Sequence, residues 1–417
     1  MSKGKSRGLF DLIKSLNKNE KRYFKLFMVS QGQREEKKVL KLFDLINSQP
    51  EFDEMRLLQL DSSLKPEQLS NLKAYLFEKI LQCIRQFNLT KMPDIQIREQ
   101  IDFAQILFNK RLNSQGLNCL RKAKKLSIDH GNLELQLEII KLEKRILVFT
   151  NDHSATSKVD GIIQEARQIN DQINNINIFS NLSIKLQSFY TRIGFIRNEN
   201  EFLKVKDFFY STIPTLDEPN LSVMEKIHLY QLYVGYYFFV QDFNNGYSSA
   251  RNLVDLFESL PPLIHSHIES YLKALNSLLI AQNKLFKYGE FVETNHKLHT
   301  IAKNPEVCVN ESIRIRLLKY YYIHEINRYF MIGDFSTGIE VLMNQQEARL
   351  NQLIGVMDKH SAMIFYFKIA CLYFGASQFG QAFRWLNRII SIPNADMRED
   401  LQCFARIISL ICHFELG

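Results

Sequence analysis

The stretch Ile364–Pro393, IFYFKIACLYFGASQFGQAFRWLNRIISIP, decides how this chain is read. Ala370 and Tyr373 are three apart on one helical face, and Ala382 and Leu386 are four apart on another. Phe379 falls between the two faces, where the chain must turn. Pro393 ends the second helix, because its ring removes an N–H and clashes with the preceding turn. Small residues stand where two antiparallel helices approach closely. The stretch is one helical hairpin.

Weaker copies run back through the chain. A bulky pair, four residues and then Phe recur as Tyr373-Phe374…Phe379, Tyr329-Phe330…Phe335, Leu285-Phe286…Phe291 and Tyr237-Phe238…Phe243, with a fainter Ile196-Arg197…Phe202. The turn phenylalanines are 41, 48, 44 and 44 residues apart. A near-constant period of this size signals stacked units, none of which buries its apolar face alone. The order small residue, aromatic, turn aromatic, small residue, late proline resembles the tetratricopeptide repeat, over residues 95–417. The period exceeds the ~34 residues of that repeat and approaches the ~40–47 of HEAT-like units, as longer helices per hairpin require.

The resemblance implies an all-α chain, a tetratricopeptide-like α–α superhelix whose first helices line a concave groove. Aligned on the turn phenylalanines, Gly194, Gly235, Asn283, Asn327 and Cys371 share one position. In tetratricopeptide proteins that position faces the groove, and Asn there hydrogen-bonds a bound peptide. The resemblance therefore nominates Asn283 and Asn327 as partner contacts, with His324 and Lys368 adding charge near the same face. Phe238, Phe286, Phe330, Phe374 and Trp385 read as packing residues.

Composition fits this picture. The 417 residues are 46% hydrophobic and 24% charged, and only 16 are Gly and 9 Pro, as a long helical chain needs. One compact core rarely grows past roughly 250–300 residues, so the chain needs several domains or a repeat array. The most apolar runs, 229–240 and 363–376, fall short of the ~20 residues that span a bilayer. The first residues carry basic groups without an apolar run behind them, which is not the pattern of a secretory signal. Six scattered cysteines without a CxxC pair suit reduced thiols on apolar helix faces, and with these features a cytoplasmic location is expected. Lys, Asn, Ile and Phe usage points to a bacterium with an AT-rich genome.

Charge is uneven. Residues 1–41 hold 12 Lys/Arg against 4 Asp/Glu, and the rest of the chain balances to zero. Two domains are expected: a basic N-terminal helical module, 1–92, and a helical-hairpin array, 93–417. Residues 1–8 read as a flexible tail, Asn17 with Glu20 as a helix cap, and Pro66-Glu67 as the start of a long helix. The module reads as a helical cap that seals the apolar face of the first repeat; the alternative, a helix-turn-helix arrangement, would present Gln68, Asn71, Lys73 and Arg85 to nucleic acid. The Asn-rich run 170–177 reads as a connection between two halves, and the final helix as an apolar cap.

No phosphate loop, GxSxG elbow, HExxH or paired CxxC occurs. Glu293, His296 and His299 share a helix face but lack a further ligand, and a solvated face explains them. No nucleophile or base stands out, so a non-enzyme without cofactor or metal is expected. The expected function is a protein-interaction scaffold that holds a peptide or helix of a partner in its groove. The alternative is a nucleic-acid-binding regulator with a basic tip and a peptide-sensing array.

Overall fold

The computed structural model describes residues 3–31, 34–60, 66–149, 155–193, 196, 198–304, 310–392 and 399–417, and its described residues are all-α with no strand. They form two compact units, 1–166 and 167–417.

The first unit begins with α1 (Lys3–Ser15), α2 (Lys18–Gln31), α3 (Arg34–Ser48), the short α4 (Glu54–Leu60) and α5 (Pro66–Phe87). Residues 3–8 of the expected flexible tail are instead the start of α1, and residues 1–2 lie outside the described residues. Leu9 and Ile13 are fully buried and tie that helix to the cluster around Phe24, Phe43 and Ile80, which carries its first turn into helix. The predicted cap is present: Asn17 Oδ1 accepts from the Glu20 amide at 3.0 Å, and Glu20 Oε2 accepts from the Asn17 amide at 2.8 Å. This reciprocal pairing satisfies donors that the helix start leaves open. Next come α6 (Pro93–Asn109), α7 (Asn113–Asp129) and α8 (Leu133–Val148), each packed on the next around Ile101, Leu120 and Ile139. A single helix, α9, runs Ala155–Ile193, and the division between the units falls inside it.

The expected connection at 170–177 is therefore helical. Ile169, Ile173, Ile176 and Phe179 recur three or four apart, and Ile169 and Phe179 are buried. Packing of that stripe outweighs the weak helix preference of Asn.

The second unit continues with α10 (Glu199–Thr212), α11 (Val223–Phe239), α12 (Phe243–Ser259), α13 (Pro261–Ser266), α14 (Ile268–Lys284), α15 (Tyr288–Ala302) and α16 (Glu311–Ile332). It ends with α17 (Phe335–Ile339), which runs on as a π-turn, then α18 (Glu347–Gly355), α19 (Lys359–Gly375), α20 (Phe379–Ile390) and α21 (Glu399–Leu416). Packing runs from neighbour to neighbour: α11 on α12, α12 on α14, α14 on α15, α15 on α16, α16 on α19, α19 on α20, and α20 on α21. Pro305 and Pro393 lie outside the described residues, as do Gly194 and Cys308.

The hairpin turns share one geometry. Arg111, Gly131, Gln241, Phe286, Gly333 and Ser377 all have positive φ. One residue later, an amide bonds back five positions, as in Asp242 N to Tyr237 O at 2.8 Å and Gln378 N to Tyr373 O at 2.9 Å. This is the Schellman ending, in which a left-handed residue lets the last carbonyls find donors. The next helix starts two residues after each left-handed one, at Phe243, Tyr288, Phe335 and Phe379.

That geometry corrects one register. The third hairpin turns at Tyr288, not Phe291, so its equivalent of Gly235, Asn327 and Cys371 is Ile280. Asn283 instead takes the place that Phe238, Phe330 and Phe374 hold elsewhere. The physical reason is an exchange of volume. Where Tyr-Phe precedes the turn, a small residue follows it: Gly246, Gly338 and Ala382. A Cβ on Gly246 would meet the Phe238 ring at 2.7 Å, and one on Gly338 would meet the Tyr329 ring at 2.9 Å. In the third hairpin Gln282-Asn283 replace the aromatic pair, and the fully buried Phe291 fills the space.

Two expected packing residues behave differently. Trp385 is buried against Tyr366, as expected. Phe286 is 78% exposed, because it occupies the left-handed turn position rather than the core.

Candidate functional site

The second unit holds a groove of about 950 Å³. Its walls come from the last turns of α9, from α11 and from α14. On α14 the lining residues Lys273, Ser277, Ile280 and Lys284 are spaced four, three and four apart, which is one helix face. On α11 His228, Gln231, Gly235 and Phe239 repeat that stripe. Gly235 and Ile280 hold equivalent places in their hairpins. Neither has a bulky polar group, so the floor between the two helices stays open.

The chemistry of the lining is specific. Ser180, Ser183, Gln187 and Gln231 offer amides and hydroxyls, while Ile184 and Phe238 offer apolar surface. The charged lining groups are Lys273 and Lys284, both exposed, and no carboxylate lines the groove among the described residues. Neither lysine forms an ion pair among those residues. The Lys284 ammonium lies 5.6 Å from the Phe243 ring centre. The groove is amphipathic and carries positive charge.

Three of the four residues nominated from sequence come together beside a second cavity, His324 and Asn327 buried and Lys368 half-buried. His324 is fully buried and Asn327 is 7% exposed. Lys368 Nζ donates to Asn327 Oδ1 at 2.6 Å, which turns the Asn327 amide so that Nδ2 donates to His324 Nδ1 at 3.4 Å. His324 must then carry its hydrogen on Nε2, which donates to Asn276 Oδ1 at 3.0 Å. One polar chain thus links α14, α16 and α19. The fourth nominee, Asn283, is half-buried and lines neither cavity.

The electrostatics follow from burial. Loss of water pushes the His324 imidazole down to about 3, with the Lys368 charge adding to it. A neutral imidazole is what the chain of donors requires, since a proton on Nδ1 would face the Asn327 N–H. Burial likewise pushes the Lys368 ammonium down to about 8; Cys371 acts against that, and the Lys284 charge, a smaller effect, acts with it. A parallel polar patch lies nearby: Asn295 Nδ2 donates to Glu325 Oε1 at 2.5 Å, and Gln282 Nε2 donates to Thr294 Oγ1 at 3.0 Å.

The other residues singled out from sequence are placed as follows. His299 stacks on Tyr321 with ring centres 5.3 Å apart, while His296 and Glu293 are exposed; no group of metal-ligating side chains forms among the described residues. On α5, Gln68, Asn71 and Arg85 are exposed, but Lys73 is buried and donates to Glu54 Oε1 at 2.9 Å. The expected basic face of that helix loses one of its two cations, because α5 turns Lys73 inward, toward α4. Of the described cysteines, Cys83 and Cys412 are buried while Cys403 is exposed. No helix among the described residues is long and apolar enough to cross a membrane.

Sequence reasoning missed the groove lysines and glutamines. The four-three-four spacing of Lys273, Ser277, Ile280 and Lys284 was visible, but the alignment on Phe291 drew attention to Asn283 in place of Ile280 as the equivalent of Gly235. No protein-family model matches this chain, and no curated protein matches it.

Proposed function

We propose that the second unit is a tetratricopeptide-like helical array that acts as a non-catalytic scaffold, holding an acidic peptide segment of a protein partner in the groove. The observation that carries this reading is the lining of that groove, about 950 Å³ with two lysines and no carboxylate. A cleft of that size suits several residues of an extended chain. Ser180, Gln231 and Ser277 supply hydrogen-bonding groups for a peptide backbone, and Phe238 and Ile184 supply apolar contact. Lys273 and Lys284 favour carboxylates on the partner and disfavour basic segments.

Fluorescence polarisation with the full chain and a library of labelled peptides tests it. Acidic peptides with interspersed apolar residues bind, and the double variant Lys273→Glu, Lys284→Glu weakens them at least tenfold. Basic peptides gain instead. Equal binding of acidic and basic peptides, or indifference to the charge reversal, overturns the reading. Because only two charges take part, affinity falls gently with salt, unlike the steep fall of phosphate-led nucleic-acid binding.

A further inference from the structure

A second cavity of about 390 Å³ opens in the same unit. Phe330, Ile364, Phe367 and Leu401 wall it with hydrocarbon, and the Lys284, Lys368 and Cys371 side chains border it. Such a combination is unusual, because a lysine in apolar surroundings normally finds a carboxylate. Neither of these two does so among the described residues. Within the chain Lys368 Nζ is bonded to the neutral Asn327 Oδ1, which leaves two of its three N–H donors for something else. The two ammonium groups also repel each other across the cavity, and Lys284 contributes to weakening the hold of Lys368 on its proton.

We infer that this cavity binds a small apolar monocarboxylic acid, with its tail against Phe330, Ile364, Phe367 and Leu401 and its carboxylate between the Lys284 and Lys368 ammonium groups. A single negative charge relieves the repulsion and gives the desolvated lysine its missing counter-charge. The polar chain supplies the positioning. Asn276, His324 and Asn327 lie behind Lys368 on two other helices and hold its ammonium in one place before any ligand arrives. A phosphate, more strongly hydrated and dianionic, suits hydrocarbon walls less well, and an alcohol or amine offers no counter-charge.

Calorimetric titration of the full chain with octanoate at pH 7 tests this, with octanol and octylamine as matched probes. Octanoate binds saturably, and the two analogues bind at least tenfold more weakly. Lys368→Met and Lys284→Met each weaken octanoate at least tenfold with an unchanged circular dichroism spectrum. Ile364→Trp fills the cavity without touching either lysine, and abolishes octanoate binding. It leaves acidic peptides bound in the groove, so the cavity and the groove succeed or fail separately. Absent saturable octanoate binding, octanol binding as tightly as octanoate, or a folded Lys368→Met variant at full affinity overturns the inference. A short peptide with a free C-terminal leucine that displaces octanoate and binds more tightly also overturns it, and reassigns the cavity to the end of a peptide.

Discussion

Lys368 illustrates how one residue can be read in two ways. From sequence it is a surface cation near a groove, yet the fold withdraws it from water and gives it a neutral amide. Its folded value of about 8 lies below the ordinary 10.5, so between those values the unfolded chain holds a proton that the folded chain has released. Stability therefore falls as pH is lowered through that window, and the loss is complete below it. His324, about 3 against 6.5, adds a second loss as pH drops from 6.5 toward 3. In urea titrations, Lys368→Met gains roughly 1–3 kcal/mol relative to the parent between pH 10.5 and 8. A stability difference that stays flat with pH would mean that Lys368 keeps its water. His324→Gln removes the acid-side loss between pH 6.5 and 5, which the same titrations read.

At the scale of elements, the hairpin is defined by its turn more than by its aromatic residues. Each of the six left-handed positions is followed two residues later by a helix start, and three of the four hairpins after α10 set Tyr-Phe against a small residue. Gly338 marks one of these close junctions, with Tyr329 and Leu372 at 2.9 and 3.0 Å from where a Cβ would stand. Gly338→Ala lowers stability by about 1–3 kcal/mol through overpacking, despite the better helix preference of Ala. Gly235, in the interior of α11, has nothing within 4 Å of its Cβ position. Gly235→Ala raises stability by about 0.5–1 kcal/mol. Thermal melts of the two variants separate close approach from simple propensity, and shifts of the same sign would refute the contrast.

Across the whole molecule, each unit carries apolar cores of its own, around Phe43 and Ile139 in the first and around Leu275 and Ile369 in the second. With cores of their own, the two units are expected to unfold as separate cooperative blocks. Trp385, the single tryptophan, is 5% exposed in the second unit and reports on that unit alone. Its fluorescence and the far-ultraviolet dichroism give denaturation curves that do not coincide. Leu142→Ala, in the first unit, shifts the dichroism curve and leaves the fluorescence midpoint in place. Coincident curves would show one cooperative block.

The helical class, the hairpins after residue 95, the cap at Asn17 and the helix start at Pro66 were legible in the sequence. These depend on periodicity and on local turn and cap chemistry, which a few neighbouring residues carry. It misread 170–177, because the Ile stripe there pays off only once it meets a core. It also misread Asn283 and Phe291, because an exchange of volume between facing helices is invisible in one strand of text. Which polar residues line the groove and which are sealed inside was decided by tertiary structure alone. Gln231 and Asn327 are alike in chemistry; one meets solvent and the other meets Lys368, and only the rotation and neighbours of their helices separate them.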